Sequence, residues 1–254
     1  MNKEQFWKIR SANYDKLFWT KDFSYLDSII KISQFDKSDI VLDVGTGTGT
    51  VAKAIKPLVK HVVAVDISDA MLEKGKWEGM SIVKWDISDH LFVNDLFDKV
   101  TARMVFHHIM NNLDRVMLRC YDLLKQGGKL IVAEGVPPTD EDEVVQWYTK
   151  MFRLKEERRT FKSWEMAHYL EKNGFVNLSQ RVHIMEDFSV RNWVENSGLD
   201  LGNQNKIIDM HLYASKKIKD VYDMKIIDGD CFIKTKNVIT VGEKRNHSTS
   251  ANTI

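Results

Sequence analysis

Short apolar runs at positions 40–44, 61–65, 81–85, 99–105 and 129–133 alternate with stretches at 50–59, 70–77 and 113–125 whose apolar residues recur every three or four positions. Runs this short, apolar on both faces, suit the strands of a parallel sheet covered on both sides, and the intervening period suits helices. Strand and helix in alternation over the first 135 residues read as a doubly wound α/β unit. Gly127-Gly128 is expected to end the third of these helices. Beyond it the pattern is less regular. It predicts a helix over 141–157, a second over 162–172 closed by Asn173-Gly174, a strand over 176–185, mostly helix over 192–222 and a final strand over 231–241. No linker interrupts these elements. The chain therefore reads as one domain of residues 1–244, with an N-terminal segment 1–38, insertions near 137–165 and 188–228, and a polar tail at 245–254 expected to be disordered.

Composition removes several function classes. The 37 basic and 36 acidic side chains leave a formal charge of +1, so no global field draws in nucleic acid or anionic lipid. The two cysteines, Cys120 and Cys231, lie far apart and form no CxxC pattern, which argues against a disulfide framework or a cysteine metal site. The N-terminus has no apolar signal core, and no run approaches the roughly 18 apolar residues of a membrane span. A reducing, cytoplasmic setting without membrane contact is the expectation.

The candidate chemistry begins at Asp43-Val44-Gly45-Thr46-Gly47-Thr48-Gly49, between a predicted strand and a predicted helix. Glycines there allow a tight turn and a close approach to a ligand, and the helix that follows presents free N–H groups. Asp66 ends the second strand, 17 positions after Gly49, close to the roughly 20 expected for a carboxylate that holds ribose hydroxyls. A helix N-cap is the competing reading of Asp66. A nicotinamide-binding fingerprint would place a third glycine where Thr50 stands.

The spacing G-x-G-x-G, with Asp43 two residues ahead, resembles motif I of the class I S-adenosylmethionine (SAM)-dependent methyltransferases. Asp66-Ile67-Ser68-Asp69-Ala70-Met71-Leu72 resembles that family's second motif, Lys84-Trp85-Asp86-Ile87 its third, Phe97-Asp98-Lys99-Val100 its fourth strand, and Leu124-Lys125-Gln126-Gly127-Gly128-Lys129-Leu130 the turn into its fifth. The resemblance runs from about residue 14 to 241. It implies a Rossmann-like, mostly parallel seven-stranded sheet with helical insertions forming a cap, and SAM as cofactor. It places Asp43, Gly45, Thr46, Gly47 and Gly49 against the methionine portion, Asp66 at the ribose, Met71 near the adenine and Asp86 at the adenine amino group, with Ile67, Ile87, Arg103 and Tyr14 also at the cofactor. Three of these have a plainer alternative: Asp86 as a turn cap, Met71 as core and Tyr14 as an aromatic on the sheet edge.

His107 and His108 follow the predicted fourth strand, at the end of the sheet where ligands bind in open α/β folds. A histidine there can take a proton from an acceptor near neutral pH. The resemblance points to His108 as the catalytic group and to His107 as its support; a core or capping histidine is the alternative. No metal site is expected, since no HExxH occurs. The (Asp/Asn)-Pro-Pro-(Tyr/Phe) motif of enzymes that methylate DNA bases or peptide glutamines is missing after this strand. The acceptor is therefore expected to be a small molecule methylated on O, N or S, by a monomer or homodimer, with no nucleic acid. Lys155-Glu156-Glu157-Arg158-Arg159 reads as a solvated helix face. The rivals are a nicotinamide-dependent oxidoreductase and a non-catalytic SAM-binding protein.

Overall fold

The computed structural model describes residues 3–13, 16–17, 20, 22–89 and 93–246. Tyr14 and the tail from residue 247 lie outside the described residues. Two helices, α1 (Lys3–Asn13) and α2 (Phe23–Ser33), precede the alternating core of β1 (Ile40–Val44), α3 (Thr50–Ile55), β2 (His61–Asp66), α4 (Asp69–Leu72), β3 (Ser81–Lys84), β4 (Phe97–Arg103), α5 (Leu113–Leu123) and β5 (Leu124–Val136). Then come α6 (Asp142–Lys155), α7 (Glu165–Lys172), β6 (Phe175–Ser189), α8 (Val190–Glu195), α9 (Leu201–Leu212), α10 (Lys216–Val221), β7 (Lys225–Ile227) and β8 (Asp230–Lys244).

The sheet runs β3-β2-β1-β4-β5-β8-β6, with β7 as a short hairpin partner of β8. Pairings from β3 through β5 are parallel, and β8 enters antiparallel between β5 and β6. This is the expected Rossmann-like α/β sheet, with β7 as an eighth strand beyond the seven foreseen. Apolar side chains of β1, β4 and β5 join α5 and α7 in the largest cluster, around Val100, Phe106, Val116 and Leu130. On the other face α3 packs Val51 and Ile55 against Val41 and Val62, and α2 packs Tyr25 and Ile29 against Ile131 and Ile239. The insertions carry their own cluster, in which Val144, Trp193, Ile207 and Ile218 meet Cys231 and Ile233 of β8. That seats the cap on the antiparallel half of the sheet.

Several boundaries differ from the sequence pattern, each for a local reason. The helix expected over 70–77 is a single turn, because Trp77 folds back and donates its indole N–H to the Leu72 carbonyl, 2.7 Å away. The strand expected to reach 105 stops at Arg103, since Met104 adopts a left-handed φ of 59° and starts a tight turn. Gly127-Gly128 does not stop a helix: α5 ends at Leu123, and the glycines lie inside β5, Gly127 with a φ of 70°. The stretch 192–222 breaks into three helices, with Ser189, Asp200 and Ser215 each accepting an N-cap hydrogen bond.

The turn after β1 depends on two glycines in different ways. Gly45 has a φ of +60°, and a Cβ there would meet a methyl of Val105 at 2.4 Å. Gly47 has a φ of +58°, but a Cβ there would have nothing within 4 Å. The first must be glycine for packing; the second leaves open space at the sheet's carboxyl end. Gly45→Ala should therefore cost about 2–4 kcal/mol, left-handed strain plus overpacking, and Gly47→Ala only about 1 kcal/mol. Urea denaturation midpoints of the two variants check this; equal losses would contradict it.

Candidate active site

The carboxyl ends of β1, β2 and β4 bring the acids and glycines of the loop together. Asp43 is buried and accepts hydrogen bonds from the hydroxyls of Thr46 (2.6 Å) and Thr101 (2.7 Å). Burial outweighs these bonds and pushes its carboxyl up to about 6. Asp66 ends β2, accepting the Gly47 N–H at 2.8 Å on one oxygen and the Ser68 N–H at 2.9 Å on the other. Burial raises its pKa as well. It does not cap α4, because Ser68 is the N-cap and accepts from the Met71 N–H. Each Asp66 oxygen thus keeps acceptor capacity beside the open space at Gly47. Ile67 next to it remains 38% exposed, an apolar side chain facing outward at a strand end. Ile87 is buried, and Asp86 accepts from the Ser88 N–H and hydroxyl, the turn-cap geometry. Met71 is buried. Arg103 lies over the Tyr25 ring, 4.9 Å from its centroid, and its charge lowers the Asp43 pKa.

Beyond β4 the chain turns through Phe106–His108, and one buried carboxylate holds that turn. Glu134, near the end of β5, accepts on one oxygen the N–H groups of Val105 (3.0 Å), Phe106 (2.6 Å) and His107 (3.3 Å). Its other oxygen lies 2.6 Å from Nδ1 of His107. An acceptor-only carboxylate sets the proton on Nδ1, which leaves Nε2 of His107 as a lone pair. The His108 ring sits 4.0 Å from that of His107 and meets Trp7 edge-on at 5.0 Å. Burial holds both histidines well below the usual imidazole range, helped for His107 by Arg158 and for His108 by His107. Both are therefore neutral at pH 7. Arg159 clamps the exit of the turn through its own N–H to the His107 carbonyl and its side chain to the carbonyls of Ile109 and Met110.

His107 and His108 line a cavity of about 960 Å³, open solvent at its mouth included, between this turn and the cap. Trp7, Tyr148, Phe152, Phe188 and Trp193 give it aromatic walls. At its base Lys155, Glu156 and Arg158 are all buried, each less than a tenth exposed, and Arg10 of α1 joins them. Glu156 takes Arg10 at 2.6 Å and Lys155 at 2.7 Å. Burial pushes its carboxyl up, but Lys155 and Arg10 outweigh that and hold it well below the usual range. The expected solvated face over 155–159 is thus corrected: α6 ends at Lys155, and the chain turns inward under the cap. Elsewhere in the cavity Tyr222 Oη and His211 Nε2 are buried without a hydrogen-bond partner. His211 Nδ1 donates to the Ile207 carbonyl at 2.7 Å, so its Nε2 is an acceptor.

His107, His108 and Glu156 offer atoms within 4.8 Å of one another, a spacing that could suit a metal ion. Arg10 and Lys155 already occupy the carboxylate, and Arg158 adds a third positive charge, so the local field opposes a cation. The glycine loop, Asp43, Asp66, Arg103 and the histidines do come together at one end of the sheet. Sequence reasoning missed Glu134, Arg10, the burial of Lys155, Glu156 and Arg158, His211 and Tyr222. Only Glu134 left a signal, as an acid directly after the apolar run 129–133 at a strand's carboxyl end.

This fold and site define a class of proteins, and comparison bears it out. A family model described as a methyltransferase domain matches residues 18–201, and the chain belongs to that family. It is similar to a demethylmenaquinone methyltransferase of Clavibacter sepedonicus, 33% identical over 107 residues, covering 39% of this chain and 42% of the relative. It is also similar to a ubiquinone/menaquinone biosynthesis C-methyltransferase of Coxiella burnetii, 28% identical over 132 residues, covering 48% of this chain and 50% of the relative. The matches span about half the length of these curated relatives at most. Among solved structures, the YcgJ protein of Bacillus subtilis shares the fold with a TM-score of 0.77 at 20% identity, over 87% of this chain and 98% of that one. A phosphoethanolamine N-methyltransferase of Haemonchus contortus, solved with SAM, shares it with a TM-score of 0.59 at 18% identity, over 88% and 53%. Among the described residues no helix is long and apolar enough to cross a membrane.

The buried histidines predict acid sensitivity. Burial lowers the His211 pKa to about 4, so its contribution to stability is present above the unfolded value near 6.5 and is lost as pH falls toward 4. At pH 5 that loss is about 2 kcal/mol for His211 alone. The raised acids Asp43, Asp66 and Glu134 act in the opposite direction, so the comparison is between variants. His211→Phe should lose less stability than the wild type between pH 7.5 and pH 5, by about 2 kcal/mol in urea titrations. Equal losses would mean that His211 titrates normally.

Proposed function

We propose that this chain is a SAM-dependent methyltransferase acting on a small organic acceptor held in the aromatic cavity beneath the cap. The observation that carries the reading is Asp66: a buried carboxylate at the end of β2, with acceptor capacity left, beside the open space at Gly47. The residues present fit the cofactor. Gly47 gives the close approach, Asp66 would take the ribose hydroxyls, exposed Ile67 would cover an adenine face, and Asp86 would take the adenine amino group. SAM, once bound, supplies a methyl group on a positively charged sulfur. The missing third glycine at Thr50 weighs against the nicotinamide reading.

The chain's own residues then have defined tasks. The cap and the aromatic walls exclude water and align the acceptor, which carries much of the rate of an in-line displacement. His108 lines the cavity and would border the acceptor. His107 has the better-built lone pair, because Glu134 fixes its tautomer and stabilises the imidazolium that forms on proton uptake. We assign proton acceptance to His107 Nε2 and acceptor orientation to His108, with Glu134 as a positioning residue. Removing a base should cost about 10²–10⁴ in rate for an acceptor that must lose a proton.

Calorimetry should show S-adenosylhomocysteine binding and no NAD binding; the reverse would overturn the assignment. Asp66→Ala should weaken S-adenosylhomocysteine binding by about 2–3 kcal/mol, roughly 30- to 150-fold. Unchanged affinity would remove Asp66 from the cofactor site. With an acceptor found by screening phenols, amines and thiols, His107→Ala should lose more turnover than His108→Ala, both keeping S-adenosylhomocysteine affinity. Because burial depresses both histidines, turnover should stay flat from pH 8 down through about 6.5 and fall only below that. A limb centred at or above 6.5 would contradict the neutral pair.

A further inference from the structure

The charge at the base of the cavity does not balance. Arg10, Lys155, Arg158 and Lys236 line it, against one lining carboxylate, Glu156, with Glu134 behind the histidine turn. Glu134 is committed to the backbone N–H groups and to His107, and Glu156 to Arg10 and Lys155. Arg158 is left poorly matched. Its Nη1 stands 3.8 Å from Glu156, its Nε donates to the Arg159 carbonyl at 3.2 Å, and its Nη2 is buried with no hydrogen-bond partner. The guanidinium is less than a tenth exposed and lines the cavity, its carbon 4.2 Å from the centroid of the Phe152 ring. A buried N–H of a charged group left without a partner costs free energy that a bound acceptor would recover.

We propose that the cavity takes an organic monocarboxylate with an aromatic or similarly flat apolar body, its carboxylate seated on Nη2 of Arg158. Basic side chains outnumber the one carboxylate that lines the cavity, which favours an anionic ligand. The flat body matches the walls formed by Tyr148, Phe152, Phe188 and Trp193. Arginine suits the task because its fork can meet a carboxylate through paired N–H donors and stays charged when buried. Lys155 responds to the same imbalance. Burial and the neighbouring Arg10 push its pKa down to about 7, with Glu156 opposing and Arg158 adding to the fall. A carboxylate arriving beside this group should draw a proton onto it. The groups facing it are Arg10, Arg158, Glu156, His107 and His108, of which the histidines are held neutral. The inference deepens the methyltransferase reading by naming the class of acceptor, and rests on it.

The test titrates the full chain, loaded with S-adenosylhomocysteine, with benzoate, phenylacetate and 2-naphthoate and with the uncharged amide of each. At least one carboxylate should bind tenfold or more tightly than its amide, and Arg158→Gln should abolish that preference while keeping S-adenosylhomocysteine affinity. Arg158→Lys should restore part of it. Calorimetry at pH 7 in two buffers of different ionisation enthalpy supplies a readout free of any mutation: the carboxylate should be accompanied by uptake of a fraction of a proton, the amide by none. No binding by any of the three carboxylates, amides that bind as well, or a preference that survives Arg158→Gln would each overturn the proposal. S-adenosylhomocysteine is titrated first and alone. Failure at that step sinks the methyltransferase reading, whereas failure at the carboxylate step with the first intact sinks only this one.

Discussion

The carboxylate of Glu134 is the constraint on which the rest of the site depends. β4 ends abruptly at Arg103 and reverses through Met104 in a left-handed conformation, so the N–H groups of Val105, Phe106 and His107 leave the sheet without ladder partners. Glu134 accepts all three from the neighbouring strand. Without it, three backbone donors would be stranded in a region where Phe106 and His107 are buried. The same carboxylate orients His107, and the same turn presses Val105 onto Gly45. One side chain thus fixes the histidine at the cavity wall and also the shape of the glycine loop on its other side. A short strand-to-strand contact couples the two halves of the site.

The cap solves a different problem. It encloses the cavity with aromatic side chains and buries Lys155, Glu156 and Arg158 beside Arg10 of α1. Burial of charge on this scale is unfavourable unless each group finds a partner. Glu156 meets that need for Arg10 and Lys155, which is why its carboxyl stays ionised despite burial, and only partly for Arg158. The Arg10–Glu156 pair also joins the N-terminal helix to the end of α6, so the wall of the cavity and its electrostatics share one contact. Three buried atoms without a hydrogen-bond partner, Arg158 Nη2, His211 Nε2 and Tyr222 Oη, belong to residues that line the cavity. Gathered around one cavity, such residues point to a ligand.

The half of the chain with short-range signals was legible before folding. Strands β1 to β5 followed from apolar runs, the glycine loop from its spacing, and Asp66 from its place at a strand end. These elements obey rules that act within a dozen residues. The cap was not legible in the same way. Its helices were foreseen as a mostly helical stretch, yet three N-caps at Ser189, Asp200 and Ser215 divide it. The run from Lys155 to Arg159 carries five charges in five residues and reads as surface; only tertiary packing, with Arg10 arriving from the far N-terminus, buries Lys155, Glu156 and Arg158 of it. The histidine pair was found, but its chemistry depended on Glu134, 27 residues away and joined to it only by the pairing of β4 with β5. Long-range partners of this kind leave no periodic trace in sequence.

Glu134 holds His107 in a single neutral tautomer, and ring-nitrogen NMR of the 15N-histidine-labelled chain at pH 7 reads that state directly. The predicted spectrum shows the His107 proton on Nδ1, shifted downfield by the short bond to Glu134, and an unprotonated Nε2; Glu134→Gln should disturb that pattern while leaving His211 unchanged. A proton on Nε2, or on both nitrogens, would contradict the account.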